Sequence, residues 1–135
     1  MMESHTKSNY WKEYAVNVAL WVVQGLLAAV YLAAGVIKTS RPRASLAEML
    51  PWTEDLSDGT VKLIGSAELL GAIGLVLPWA IGIATVLTPL AATGLVVIQV
   101  LACVTHVRRG EAKVLPLNIV LLLLALFVAI GRFAG

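Results

Sequence analysis

The chain has 135 residues, of which 59% are hydrophobic and only 13% are charged, with a formal net charge of +2. A soluble domain carries about a quarter charged residues, so this composition excludes an ordinary soluble domain. The small net charge argues against a nucleic-acid partner. The apolar residues form long blocks, and a helix needs roughly 20 of them to cross a bilayer. We therefore predict an integral membrane protein.

Four apolar blocks are predicted to span the membrane within a single membrane domain that covers residues 1–135. A polar tail of residues 1–15 comes first, and the spans follow at about residues 16–37, 61–78, 80–105 and 114–133. The first block does not end in a small-residue cleavage site. It is therefore expected to be a retained span rather than a signal peptide.

The connections between the spans differ in length. Residues 39–60 form the only long one, and its apolar run between Pro42 and Pro51 suits either an interfacial helix or an ordered loop packed over the bundle. Helix two is expected to end at Pro78 with helix three following at once, which makes these helices antiparallel neighbours. Pro89 is expected to kink helix three.

The positive-inside rule predicts an orientation. Seven of the ten Lys and Arg residues flank the two loops that follow helices one and three: Lys38, Arg41, Arg43, Lys62, Arg108, Arg109 and Lys113. The other three flank the opposite side: Lys7, Lys12 and Arg132. The charged loops are thus predicted to be cytoplasmic and both termini to be outside.

Polar residues lie on one stripe of each predicted helix. Residues seven apart share a helix face. In helix one, Gln24, Tyr31 and Lys38 follow this spacing, and in helix three Gln99 and His106 do. The pattern predicts an all-α four-helix bundle with antiparallel neighbours and polar groups facing inward.

One end of this bundle is predicted to collect four polar side chains. Lys38 ends helix one, Glu68 lies about 10 Å into helix two at 1.5 Å per residue, His106 ends helix three, and Asn118 opens helix four. With alternating helix directions, all four belong to the same half of the membrane. The candidate ligand-binding residues are Glu68, Lys38, His106, Asn118, Tyr31 and Gln99.

Glu68 also has a purely structural interpretation. A carboxylate in hydrocarbon is costly and normally has a partner inside the protein, and buried polar residues in membrane bundles often serve only to join helices. A Glu68–Lys38 pair would satisfy that need without any ligand. Arg132 is expected to extend to the far interface. The sequence predicts no metal site, because its two histidines are not clustered with other ligands. It predicts no cofactor within the chain and no self-sufficient catalytic centre. Thiol relay chemistry would need a second cysteine beside Cys103.

The order of these motifs resembles the DoxX-like family. The resemblance runs from about Val18 to Arg132 and is carried by Gly35-Val-Ile-Lys38, Gly65-Ser-Ala-Glu68-Leu-Leu-Gly71, Pro89-Leu-Ala-Ala92 with Ala102 and His106, and Asn118. It implies a small multi-pass protein of the bacterial inner membrane. Namesakes of the family are associated with thiosulfate:quinone oxidoreductase, and other members with membrane redox or oxidative-stress complexes. The matching residues do not imply that this chain has the thiosulfate activity itself.

Three functions remain open at this point. The first is a subunit or accessory protein of a membrane-associated, quinone-linked redox complex, whose polar site around Glu68 holds a hydrophobic ligand such as a quinone or lipid. The second is a structural scaffold or assembly subunit. The third is a small proton-coupled transporter, as in the small multidrug exporters. Those proteins carry their essential carboxylate in the first helix, whereas helix one of this chain has only Gln24 at that depth. The expected partners are the bilayer and either another membrane protein or a second copy of the chain.

Overall fold

The computed structural model describes residues 2–135, with side chains from residue 9 onward, and this part of the chain contains helices and no strand. The helices are α1 (Met2–Ser40), α2 (Arg43–Met49), α3 (Asp58–Ile81), α4 (Leu87–Arg108) and α5 (Leu115–Ala134), with short 3₁₀ helices at Pro51–Asp55 and Ala112–Val114. Four segments are long and apolar enough to cross a membrane: Asn9–Ser40, Asp58–Ile81, Leu87–Arg108 and Ala112–Ala134. The predicted all-α membrane bundle is confirmed.

The four long helices form a ring in which α1 contacts α3, α3 contacts α4, α4 contacts α5, and α5 returns to α1. Each contributes to one apolar core, which includes Leu27, Leu75, Leu95 and Val128. Two contacts show that α1 and α3 are antiparallel. Near one end, a Cβ placed on Gly65 would lie 2.8 Å from the Cβ of Lys38, and toward the other end Gln24 donates to the carbonyl oxygen of Leu75.

Two helix ends differ from the sequence-based expectation. α3 continues through Pro78 to Ile81, and Gly82 then ends it in a left-handed conformation with φ of 69°. α4 begins only at Leu87, so Pro89 lies in its first turn rather than at the mid-helix position where a kink was expected. A proline costs little there because a first-turn N–H has no partner within the helix.

The first connection is both helical and packed over the end of the bundle. It contains α2 and the 3₁₀ helix Pro51–Asp55, and it buries Leu46 and Thr53. Ser57 then caps α3, because its hydroxyl accepts a hydrogen bond from the Thr60 N–H at 3.1 Å. At the other extreme of the chain, α1 already begins at Met2, so the helix includes residues expected to form a tail.

Two glycines let α1 and α3 cross at close range. A Cβ placed on Gly65 would lie 2.8 Å from the Cβ of Lys38 and 3.0 Å from the Cγ2 of Thr39. One placed on Gly35 would lie 2.8 Å from the carbonyl oxygen of Gly65 and 2.7 Å from the Cγ of Leu69. These contacts leave no room for a side chain on either helix at the crossing.

Gly65→Ala is therefore expected to push α1 and α3 apart and to lower the free energy of unfolding by about 1–3 kcal/mol, the usual cost of overpacking. Gly94→Ala is the matched control, because nothing lies within 4 Å of a Cβ at that position. It should leave stability unchanged or raise it by up to about 1 kcal/mol through helix propensity. Thermal unfolding in nanodiscs measures both, and equal effects would contradict the close crossing.

Candidate ligand-binding site

A cavity of about 370 Å³ lies at the end of the bundle where α1 ends. All six candidate residues line it: Tyr31 and Lys38 from α1, Glu68 from α3, Gln99 and His106 from α4, and Asn118 from α5. Most of the remaining wall is aliphatic. The bundle thus brings the candidates around one space, while their role as ligand contacts stays a prediction.

Lys38 and Glu68 form a buried ion pair between α1 and α3. The Lys38 Nζ lies 2.6 Å from the Glu68 Oε1, and the two residues are only 9% and 2% exposed. The ring of Trp52 lies over the ammonium group, with its centroid 5.5 Å from Nζ. Each charge offsets the desolvation of the other, which is the condition for keeping either one in an apolar bundle.

Lys62 fixes the backbone on which Lys38 is carried. Its ammonium group donates to the carbonyl oxygen of Lys38 at 2.9 Å and to that of Arg41 at 2.7 Å. The first carbonyl lies in the last turn of α1 and the second directly follows the helix, where orphan acceptors and the helix dipole favour a cation. α3 therefore supplies both the partner of the Lys38 side chain and a cap for its helix.

Tyr31 and Gln99 form a second buried contact, between α1 and α4. The Gln99 Nε2 donates to the Tyr31 hydroxyl at 2.7 Å. The other end of this amide, Oε1, is buried and has no hydrogen-bond partner in the described part of the chain. An unsatisfied buried acceptor costs about 1–3 kcal/mol. Gln99 therefore offers an acceptor that a donor group of a ligand could satisfy.

His106 belongs to a polar network at the edge of the cavity, beside the connection between α4 and α5. Its Nδ1 lies 3.0 Å from the Glu111 Oε1, which also accepts from the Arg109 Nε at 3.2 Å. Arg109 in turn pairs with Asp55 of the first connection. The hydrogen bond with His106, followed by that from Arg109, lowers the pKa of Glu111 below its ordinary value of 4.5. The network joins the two connections at this end of the bundle.

Asn118 lines the cavity without joining either buried pair. Its amide donates to the carbonyl oxygen of Val114 in its own helix turn, at 3.3 Å. Like His106, it therefore borders the space while its visible hydrogen bond is directed elsewhere. The tight groupings among the six are Lys38 with Glu68 and Tyr31 with Gln99.

The first connection contributes lining residues that were not among the candidates. Met49, Leu50, Pro51, Trp52 and Leu56 all line the cavity. We call residues 42–56 the cap segment. The signal for it was the apolar run within an otherwise polar connection, which fitted two structures equally well and indicated no contact with the candidate site.

Arg132 lies at the opposite end of the bundle, where the expectation that it extends to the interface is wrong. It is only 6% exposed, and it donates to the Gln24 Oε1 at 2.7 Å and to the Asn17 Oδ1 at 2.9 Å. Its guanidinium also lies 4.4 Å from the ring centroid of Trp79. The Gln24 Nε2 in turn donates to the carbonyl oxygen of Leu75, so α1, α3 and α5 are joined there by hydrogen bonds.

Among the described residues, no group of three or more His, Cys, Asp or Glu is placed to hold a metal ion. Cys103 is partly buried and unpaired. The chemistry that the cavity offers is a charged pair and a phenol–amide pair within aliphatic walls. Such a site can hold an apolar molecule that carries a polar group.

Comparison with known proteins identifies a family. The model of the DoxX-like family matches residues 22–128, which is well over half of the chain. The matched region contains every residue that lines the cavity, whereas Arg132 lies beyond it. No curated protein and no solved structure matches the chain.

Lys38→Met is expected to lower the free energy of unfolding by about 3–5 kcal/mol, because it leaves the buried Glu68 carboxylate unpaired. Adding Glu68→Gln should restore much of that loss, since it removes the orphaned charge. Lys12→Met, at an exposed position, is the control and should change stability by less than about 0.5 kcal/mol. Unfolding of the single and double variants in the same detergent tests the pair. If the double variant is no more stable than Lys38→Met, the loss of stability does not come from an unpaired Glu68 charge.

Glu111 should make stability fall in acid. Because its folded-state pKa is below 4.5, it adds stability above that pH, and this contribution is lost as the pH falls through the lowered value. Between about pH 7 and about pH 3, the wild type should therefore lose more thermal stability than Glu111→Gln. Glu48→Gln, at an exposed carboxylate on α2, should follow the wild type. Parallel curves for all three proteins would contradict the network.

Proposed function

Because the chain belongs to the DoxX-like family, we propose that it is a subunit or accessory protein of a membrane-associated, quinone-linked redox complex. In this role its bundle holds a hydrophobic ligand, a quinone or a lipid, with the polar head beside Glu68. The observation that carries the proposal is the cavity, where a buried ion pair lies within walls that are otherwise largely aliphatic.

The size and polarity of the cavity support a ligand of this kind. Its volume of about 370 Å³ falls within the roughly 300–1,000 Å³ typical of small-molecule sites. The hydroxyl of a quinol or lipid head group can donate a hydrogen bond to the Glu68 carboxylate, beside the bond that Glu68 accepts from Lys38. The unpartnered Oε1 of Gln99 offers a second acceptor. An oxidised quinone head would instead accept from Lys38. His106 borders the same space.

The redox chemistry is assigned to a partner rather than to this chain. Its side chains in the described region supply neither a metal-binding group nor a second cysteine beside Cys103. Electrons would therefore pass between the ligand and a centre in an adjoining membrane protein. The chain would contribute the binding and orientation of the ligand.

The proposed location is the bacterial inner membrane, crossed by all four long helices. The excess of Lys and Arg beside the α1–α3 and α4–α5 connections favours a cytoplasmic position for both. The termini would then lie outside, and the end of the cavity that the cap segment covers would face the cytoplasm. Ligand exchange and electron transfer would take place in the cytoplasmic half of the bilayer.

A structural scaffold is the second candidate. The 2.6 Å contact between Lys38 and Glu68 favours it, since each charge already has a partner and the pair joins α1 to α3 without a ligand. In a scaffold, Glu68 would act on stability and on the assembly of the complex. The two functions make opposite predictions for what copurifies with the protein.

Mass spectrometry of small molecules extracted with the protein into nanodiscs separates these functions. We expect the wild type to carry a quinone or a defined lipid, and Glu68→Gln to lose it by about tenfold or more, as for a lost hydrogen bond to a charged group. Glu48→Gln makes the same chemical change outside the cavity and should keep the ligand. No bound molecule, or equal binding by Glu68→Gln with an unchanged partner set, would favour the scaffold.

A further inference from the structure

The seam between α1 and α5 is closed at only one end. It is the least extensive of the four contacts between neighbouring helices. At the Arg132 end, Leu20 packs directly against Gly131, and Arg132 bonds to Asn17 and Gln24. Toward the other end, both helices border the cavity. α1 and α5 are thus clamped together at one end and have the cavity between them at the other.

The rim of the cavity at this seam is apolar and exposed. Val30 of α1 is 44% exposed and Leu117 of α5 is 64% exposed, yet both line the cavity, as does the neighbouring Leu121. Val30 lies about 12 Å along α1 from Lys38 at 1.5 Å per residue, well inside the apolar span. At this depth an exposed side chain faces lipid hydrocarbon. The cavity wall is therefore continuous with the lipid-facing surface of the bundle.

The aqueous side of the cavity is covered by comparison. Leu50, Pro51 and Trp52 of the cap segment line it from that side. The Asp55–Arg109 ion pair ties the end of this segment to the connection between α4 and α5. Both ends of the cap segment are thus held, one by its junction with α1 and the other by this pair. A molecule approaching from water meets the cap segment before the ion pair.

We propose that the ligand is a tailed amphiphile that enters from the bilayer, with its head at the Lys38–Glu68 pair and its apolar tail in the seam between α1 and α5. This assignment rests on the proposed function and deepens it, because it names the ligand class and the route. A solute that arrives from water could not reach an opening at hydrocarbon depth without first entering the bilayer. A long-chain amphiphile requires one, since the cavity holds a head group and only part of a tail.

A photoreactive probe tests where the tail lies. The probe is a hydroquinone, whose hydroxyls can donate to Glu68, with a ten-carbon tail that carries a diazirine at its end. It is kept reduced and added to the wild-type protein in nanodiscs. After illumination, peptide mapping should find the label on α1 and α5 beside the seam, and Glu68→Gln should reduce it. Label confined to the cap segment or to the α3–α4 face, with binding still dependent on Glu68, would overturn the route and leave the proposed function standing. Absence of saturable, Glu68-dependent binding would overturn both.

Narrowing the seam tests entry separately. Val30→Trp should slow the time course of labelling by about tenfold, within the range over which association rates vary among mutants of one site. Val36→Trp is the matched control, because Val36 is an exposed valine of α1 that does not line the cavity. It should label at the wild-type rate. Equal rates in the two variants would overturn lateral entry through this seam.

Discussion

The Lys38–Glu68 ion pair is the constraint on which this structure depends. A carboxylate inside an apolar bundle needs a partner at hydrogen-bonding distance, and here that partner comes from a different helix. The close crossing at Gly35 and Gly65 provides the required approach of α1 and α3. Lys62 completes the arrangement by capping the helix that carries Lys38. The small residues around the charges are thus a geometric requirement of pairing them.

The two polar clusters act differently because their donors and acceptors are used differently. At one end, Arg132 of α5 donates hydrogen bonds to Gln24 and Asn17 of α1 and holds these two helices together. At the other end, the ion pair and the Tyr31–Gln99 contact are spread around an open space. Packing therefore closes the bundle at the first end and leaves a cavity at the second. The asymmetry gives the bundle one closed end and one end that contains a cavity.

Hydropathy and residue spacing predicted the four long helices and the inward faces that carry Tyr31 and Lys38, because both follow from the helical period and the cost of polar groups in lipid. They failed for Arg132, since a sequence does not reveal whether a long cationic side chain meets acceptors on another helix before it reaches water. The kink expected at Pro89 was wrong because a proline bends a helix only in its interior, and the sequence did not reveal that α4 starts at Leu87. The cap segment was missed as a site element because its contacts are entirely tertiary.

The charge balance of the cavity bears on which head group it can accept. Lys38 and Glu68 cancel each other, Glu111 at the edge is paired with Arg109, and the Tyr31–Gln99 contact joins two side chains of uncharged type. A charged head would bring an uncompensated charge into this part of the bundle, at a cost of at least about 2.5 kcal/mol. A neutral head that donates hydrogen bonds to Glu68 and to the Gln99 Oε1 avoids that cost. The same balance favours a carrier whose oxidised and reduced forms are both neutral, because only such a molecule could change redox state there without disturbing the pair.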